Sequence, residues 1–212
     1  MATFQVQIED MVGIVGSSAD TSSDTTAITS WLTDGAKEVI NVMPPNLLAL
    51  CAAEQTLTPR AVGSESTAAT LNTGKVFNVR RSDGTIDQPC RLVSSRVKGR
   101  VSDSDDMMYA TATDPVYYIE SNYLNILPSA STAVGKYSEV QYPAVTYGLD
   151  AIATFPDEAE YLVILYAAIK AVERIVSDNI RVDEDVELAN AKKEQYTWLQ
   201  NQYMTGIKAL AG

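Results

Sequence analysis

The stretch FPDEAEYLVILYAAIKAVERIV, Phe155 to Val176, restricts the possible folds more than any other part of the chain. Pro156 followed by Asp157, Glu158 and Glu160 reads as a helix start with carboxylates at the positive dipole end. Leu162, Leu165, Ile169, Val172 and Val176 recur on one helical face, and Val163, Tyr166 and Ala167 widen it,. A stripe this wide predicts a helix buried on more than one side, so other helices have to cover it. Glu158, Glu160, Lys170, Glu173 and Arg174 break the apolar run, which therefore falls short of the ~20 residues of a bilayer span,. The opening MATFQVQIEDMVGIVG has neither a basic start nor a long apolar core, so no secretory leader is expected,. The reading is of a soluble chain with no membrane partner.

The covering helices are legible. A final helix from about Asp183 to Leu210 carries the stripe Leu188, Lys192, Tyr196, Leu199, Tyr203, Ile207 and Leu210, and is expected to pair with the first as an antiparallel hairpin,. Near the other end, Asp24 is a plausible N-cap for a helix with Ile28, Trp31 or Leu32, Gly35, Val39 and Met43 at helical spacing,. Pro44 and Pro45 end it, and Pro45 is suited to start a short helix PNLLALCAAEQ, with Pro59 just beyond,. The segment from Met1 to Asp24 reads two ways. Phe4, Val6 and Ile8 alternate as a strand does, Gln7 to Val12 fits a helical turn, and GSSADTSSD reads as a polar loop,.

The middle changes character. KVFNVRR reads as a strand with Val76 and Asn78 on one side and Phe77 and Val79 on the other; SDGT, with Gly84, reads as the turn after it,. Between Asp87 and Asp103, Leu92, Val93, Val97 and Val101 fit a helix that Gly99 weakens. PVYYIES, YLNILP and KYSEVQYPAV are three short strands bounded by Pro, Ser and Gly,. The expected fold is mainly α with a β insertion, an α+β chain: a helical bundle from 1–60 and 151–212, and a small antiparallel β section within 61–150.

Chemistry is sparse. The 212 residues contain no histidine, so the commonest general base and metal ligand is missing,. GIVGSS lacks the lysine and spacing of a phosphate loop. Asp103, Asp105 and Asp106 lack the turn glycine and distal glutamate of a calcium loop, and DEDVE suits a helix start. Cys51, in LLALCAA, reads as a core thiol; Cys90, between Pro89 and Arg91, is the better nucleophile candidate, with packing the plainer role,. No cofactor, metal or enzymatic activity is expected. The net charge of −11 disfavours binding to phosphate backbones,.

Two features point to protein contacts instead. Arg80, Arg81, Arg91, Arg96, Lys98 and Arg100 form the basic clusters of an acidic chain, either a solvated loop or a patch for an acidic neighbour, including a second copy,. Tyr109, Tyr117, Tyr118, Tyr123, Tyr137, Tyr142 and Tyr147 crowd the middle, most of them expected as half-buried strand residues, and tyrosine is favoured at interfaces,. Arg81, Arg96, Lys98, Arg100, Tyr117, Tyr118 and Tyr203 are the candidate interface residues.

WLTDGAKEVINVMP (Trp31 to Pro44), ATATDPVYYIESNYLNILP (Ala110 to Pro128), VQYPAV and FPDEAEYLVILYAAIKAVERI, in that order, resemble the head-to-tail adaptor proteins of tailed bacteriophages. The likeness runs from about Asp24 onward and leaves the opening before Ser30 and the basic stretch Arg91 to Arg100 unmatched. It implies a virion structural protein of the neck, made in the host cytoplasm, that forms a commonly twelvefold ring of identical copies under the portal protein. Tail or neck proteins would dock on that ring, and DNA would pass its lumen without specific binding. Another non-catalytic tail-completion, stopper or baseplate component is the alternative.

Overall fold

A computed structural model describes residues 2–13, 21–57, 67–82, 87–128, 134–178 and 186–211. The loop beyond Gly13, Pro59, the Gly84 turn and the Asp183 helix start lie outside the described residues. The chain is α+β and divides into two compact units, Met1–Cys51 with Tyr142–Gly212, and Ala52–Gln141. The division falls at 51/52 and 141/142 rather than at the expected 60/61 and 150/151.

The first unit is helical. The ambiguous opening is helix α1, Phe4–Val12, capped by Thr3, whose Oγ1 accepts from the Val6 amide. Phe4, Ile8 and Val12 are buried at i, i+4 and i+8 while Val6 is exposed, so the helical period wins over the alternation,. Helix α2 spans Thr21–Val42, starting three residues before Asp24, and buries Ile28, Leu32, Ala36, Val39 and Ile40. Helix α3 is only Pro45–Leu48, with proline in its first turn, followed by one 3-10 turn, Ala49–Cys51.

Helix α5, Asp157–Asp178, is packed against α1, α2 and α6. From Leu162 to Val172 every residue is buried except the half-buried Tyr166 and Lys170, so the wide stripe is answered by cover on several sides. Helix α6, Val186–Ala211, runs antiparallel to α5: Gly206 meets Leu162, Tyr203 meets Tyr166 at 6.0 Å between ring centroids, and the Tyr196 hydroxyl donates to Glu173 at 3.2 Å. Gly35 lets α2 come close to α5, because a Cβ there would stand 3.0 to 3.2 Å from three atoms of Tyr166. The C-terminal carbonyls of α1 are satisfied from α6, with Lys192 Nζ donating to Val12 and Gln195 Nε2 to Met11, each at 2.5 Å,. The segment after Gln141 is tied to the same bundle: the amides of Phe4 and Gln5 donate to Leu149 and Tyr147, and Thr33 Oγ1 donates to Val145.

The second unit holds two four-stranded sheets. The strands are β1 (Ala52–Leu57), β2 (Thr67–Thr70), β3 (Val76–Ser82), β4 (Asp87–Pro89), β5 (Arg91–Leu92), β6 (Val116–Glu120), β7 (Tyr123–Leu127) and β8 (Val134–Val140). Their orders are β1-β8-β3-β4 and β2-β7-β6-β5, antiparallel apart from the β5–β6 pair. The helix expected over Pro45 to Gln55 is overturned from Ala52 on. Ala and Glu favour a helix locally, but β8 offers a six-residue ladder, Ala52 opposite Val140 through Leu57 opposite Gly135,. The helix expected between Asp87 and Asp103 is confined to α4, Lys98–Ser102, behind a 3-10 turn at Ser95–Val97.

Leu57, Val79 and Tyr137 of one sheet close on Leu71, Leu124 and Ile126 of the other side. Gly135 sits at the closest approach, where a Cβ would come within 2.7 Å of Ile126 and 2.8 Å of Leu57. The opposite face of the second sheet is also covered, with Val116, Tyr118 and Leu127 under Val93, Val101 and Ala110. In β3 the expected facing is corrected: the register slips between Val76 and Asn78, so Val76 packs on the core and Phe77 is exposed. The extra residue of that bulge breaks the period-two alternation. Glu139, 1% exposed, accepts from the amides of Thr73 at 2.7 Å and Gly74 at 3.0 Å, clamping the turn before β3 to β8.

Candidate interaction surfaces

The candidate residues do not gather in one place. Arg81 is 5% exposed because it shares the inward side of β3 with Val79; its Nε donates to the Pro128 carbonyl at 3.0 Å. Tyr118 is 5% exposed in the core under α4, Tyr117 is half-buried against the inter-sheet core, and Tyr203 is 6% exposed between α5 and α2. Arg81, Tyr118 and Tyr203 are therefore corrected from contact residues to core residues: a side chain committed to its own interior has no surface left for a neighbour. Of the crowded tyrosines, Tyr137 is buried, Tyr109, Tyr123 and Tyr147 are exposed, and Tyr142 and Tyr147 lie in the helical unit rather than on strands.

Lys98 and Arg100 are exposed but paired. Lys98 Nζ reaches both Glu120 oxygens at 3.1 and 2.9 Å, and Arg100 holds Asp106 through Nε and Nη2 at 2.9 and 3.3 Å. Arg96 is exposed, with its backbone amide on Ser94 Oγ. Exposed pairs of this kind are individually worth little, but they cancel the basic cluster locally.

Asp103, Asp105 and Asp106 form a self-bonded turn. Asp103 Oδ1 accepts from the Asp105 amide, and Asp106 Oδ1 accepts from the Met108 amide at 2.8 Å. The Arg100 hydrogen bond, then the Met108 amide, hold the Asp106 carboxyl below its ordinary 3.8. A depressed folded value stabilises the turn above the ordinary carboxylate range and is lost as pH falls through the folded value. The expected result is that the protection factor of the Met108 amide, its exchange rate relative to an unfolded chain at the same pH, falls only on acidification below about pH 4. Loosening of the turn near neutral pH would contradict it.

Cys90 is half-buried and pushed up to about 12 by desolvation, with Arg81 opposing the shift; Cys51 is buried and also raised. Cys90 is thus a protonated thiol at neutral pH and a poor nucleophile. Native chain treated with iodoacetamide at neutral pH is expected to label Cys90 at least tenfold more slowly than urea-unfolded chain; equal rates would refute the burial. Tyr203 is raised by burial first and by the neighbouring Glu38 carboxylate second, yet its hydroxyl makes no hydrogen bond of normal geometry.

The helical unit also has a cleft of about 470 Å³ lined mainly by Pro44, Leu47, Tyr161, Leu162 and Leu210, with Glu158 as its one charged lining residue. Among the described residues no cluster of three or more metal-ligating side chains occurs, and no helix is long and apolar enough to cross a membrane. The exposed aromatic Trp198, at 54%, and Met204 stand on α6 outside its apolar stripe, where the spacing of apolar residues gives no sign of a contact surface. No protein-family model matches the chain, and no curated protein is similar to it.

Proposed function

We propose that the chain is a structural subunit of a tailed-phage neck, a head-to-tail adaptor that joins the portal to the tail as a ring of identical copies. The reading rests on the ordered resemblance of its motifs to that family. One structural observation supports it: strands β1 and β8 pair with Ala52 opposite Val140, so the chain enters and leaves the β unit side by side. The β unit is therefore an insertion carried by helices from both ends of the sequence, the architecture expected of a helical rail with a docking module. A chain of net charge −11 suits a lumen that DNA traverses without sticking,. Copies in a closed ring meet through unlike surfaces, and the exposed Trp198 and Met204 of α6 are the aromatic and Met side chains that such contacts favour,.

The test is to mix purified chain with the portal assembly of its phage and image the product by electron microscopy. Rings of this chain seated on the portal are the expected result. Binding to a tail-tip or baseplate component with none to the portal would overturn the adaptor reading.

A further inference from the structure

A free strand edge is a row of unpaired backbone donors and acceptors, and folded proteins usually guard it with proline, bulges or brevity. Three of the four sheet edges are guarded in this way. Strand β4 has three residues and ends at Pro89, β5 has two residues, and β2 has four. Strand β1 has six residues, contains no proline, and keeps an unbroken register with β8.

The direction of its backbone groups follows from the ladder. The Cys90 amide donates to the Val79 carbonyl, so Val79 and Arg81 face β4 while Arg80 faces β8. Arg80 is opposite Lys136, which places the backbone groups of Lys136 and Ser138 toward β3 and those of Gly135, Tyr137 and Glu139 toward β1. The Val140 amide donating to Lys75 has the same parity. Ala53, Gln55 and Leu57 therefore bond to β8, and Glu54 and Thr56 present their amides and carbonyls outward, while the Ala52 amide closes the 3-10 turn before the strand,. Among the described residues no backbone group meets those of Glu54 and Thr56; β2, which also contacts β1, is bonded to β7.

Charge selects the occupant. The chain carries −11, so two copies repel over most of their surface,. Beside the β1 edge the charges cancel: Glu54 accepts from Arg80 at 2.6 Å and lies 3.9 Å from Lys136, while Asp87 lies 3.8 Å from Arg80. We infer that the outer edge of β1 is a self-association site, where β1 of a second copy adds antiparallel across a two-fold axis and joins the two sheets. Glu54 of one copy falls opposite Glu54 of the other, each accompanied by its own arginine and lysine. The contact is small, so the dimer is weak, with a dissociation constant on the order of 0.1 mM. This inference is independent of the neck reading, since a chain that ignores the portal still has this edge.

The test is an amide NMR dilution series of the full chain from about 20 µM to about 1 mM, a range that brackets the affinity of so small a contact. The amides of Glu54 and Thr56 are expected to shift with concentration, at least twofold more than those of Ala53 and Gln55. Thr56→Pro deletes an outward amide and leaves the β8 ladder intact, so its spectrum is expected to stay dispersed with the shifts abolished. If Thr56→Pro does not fold, Glu54→Pro removes the neighbouring outward amide and is read in the same way. Amides of β1 that ignore concentration in the wild type, or shifts that survive the proline, overturn the inference.

Discussion

Glu139→Leu is expected to destabilise the β unit by about 1–3 kcal/mol, from the half-buried Thr73 amide, since Gly74 is exposed and its amide can turn to water,. The carboxylate is 1% exposed and holds the amides of Thr73 and Gly74. Leucine fills similar space and offers no acceptor, so the half-buried Thr73 amide loses its partner while the Gly74 amide is left to water. Glu139→Gln keeps one acceptor oxygen and loses the charge, so it is expected to cost only about 1 kcal/mol. Both tryptophans, Trp31 and Trp198, lie in the helical unit, so their fluorescence does not report on this loss. The measurement is native-state hydrogen exchange at Leu124 and Ile126 in the β-unit core. Wild-type protection in Glu139→Leu would mean that the carboxylate does not hold the turn.

The helical half of the molecule was legible because its signals are local. Proline at Pro156 and early carboxylates mark the start of α5, and its apolar period continues as buried residues through Val172. The α6 stripe predicted residues that meet α5, Tyr196 and Tyr203, and includes the buried Leu199. The three aromatic runs of the middle hold strands β6, β7 and β8 for the same reason, since aromatic and β-branched residues and flanking turn residues sit within a few positions of each other, although the last run, KYSEVQYPAV, leaves the sheet after Val140,. What failed was decided by distant partners. Ala52–Leu57 is a strand because β8, some eighty residues later, pairs with it. Phe77 faces outward because of a bulge against β8, which no pattern inside KVFNVRR reveals.

The surroundings of the candidate contact residues were also set by distant partners. Arg81 looked like part of a basic surface, but inward alternation after the bulge buries it beside Val79. Lys98 and Arg100 find their counter-charges in Glu120 and Asp106, and only the fold brings Glu120 close. The outer edge of β1 had no sequence signal at all, because it consists of backbone groups and, among the described residues, of the absence of a neighbour.

Leu165→Ala is expected to cost the helical unit about 2–5 kcal/mol, the transfer loss of three carbons plus the cavity they leave. The position matters more than the residue type. Leu165 is buried in a stretch of α5 covered on several sides, and its helix neighbours Ala167, Ala168 and Ala171 are too short to fill a void. Leu199, on α6, is equally buried, yet its flanking residues Trp198 and Gln200 are exposed. A helix covered on one side can move inward, so Leu199→Ala is expected to cost about 1 kcal/mol less, because a collapsing site recovers part of the cavity term. Urea denaturation followed by tryptophan fluorescence reads both variants, since Trp31 and Trp198 report this unit. Equal losses, or a larger one at Leu199, would show that α6 and not α5 is the element the other helices pack around.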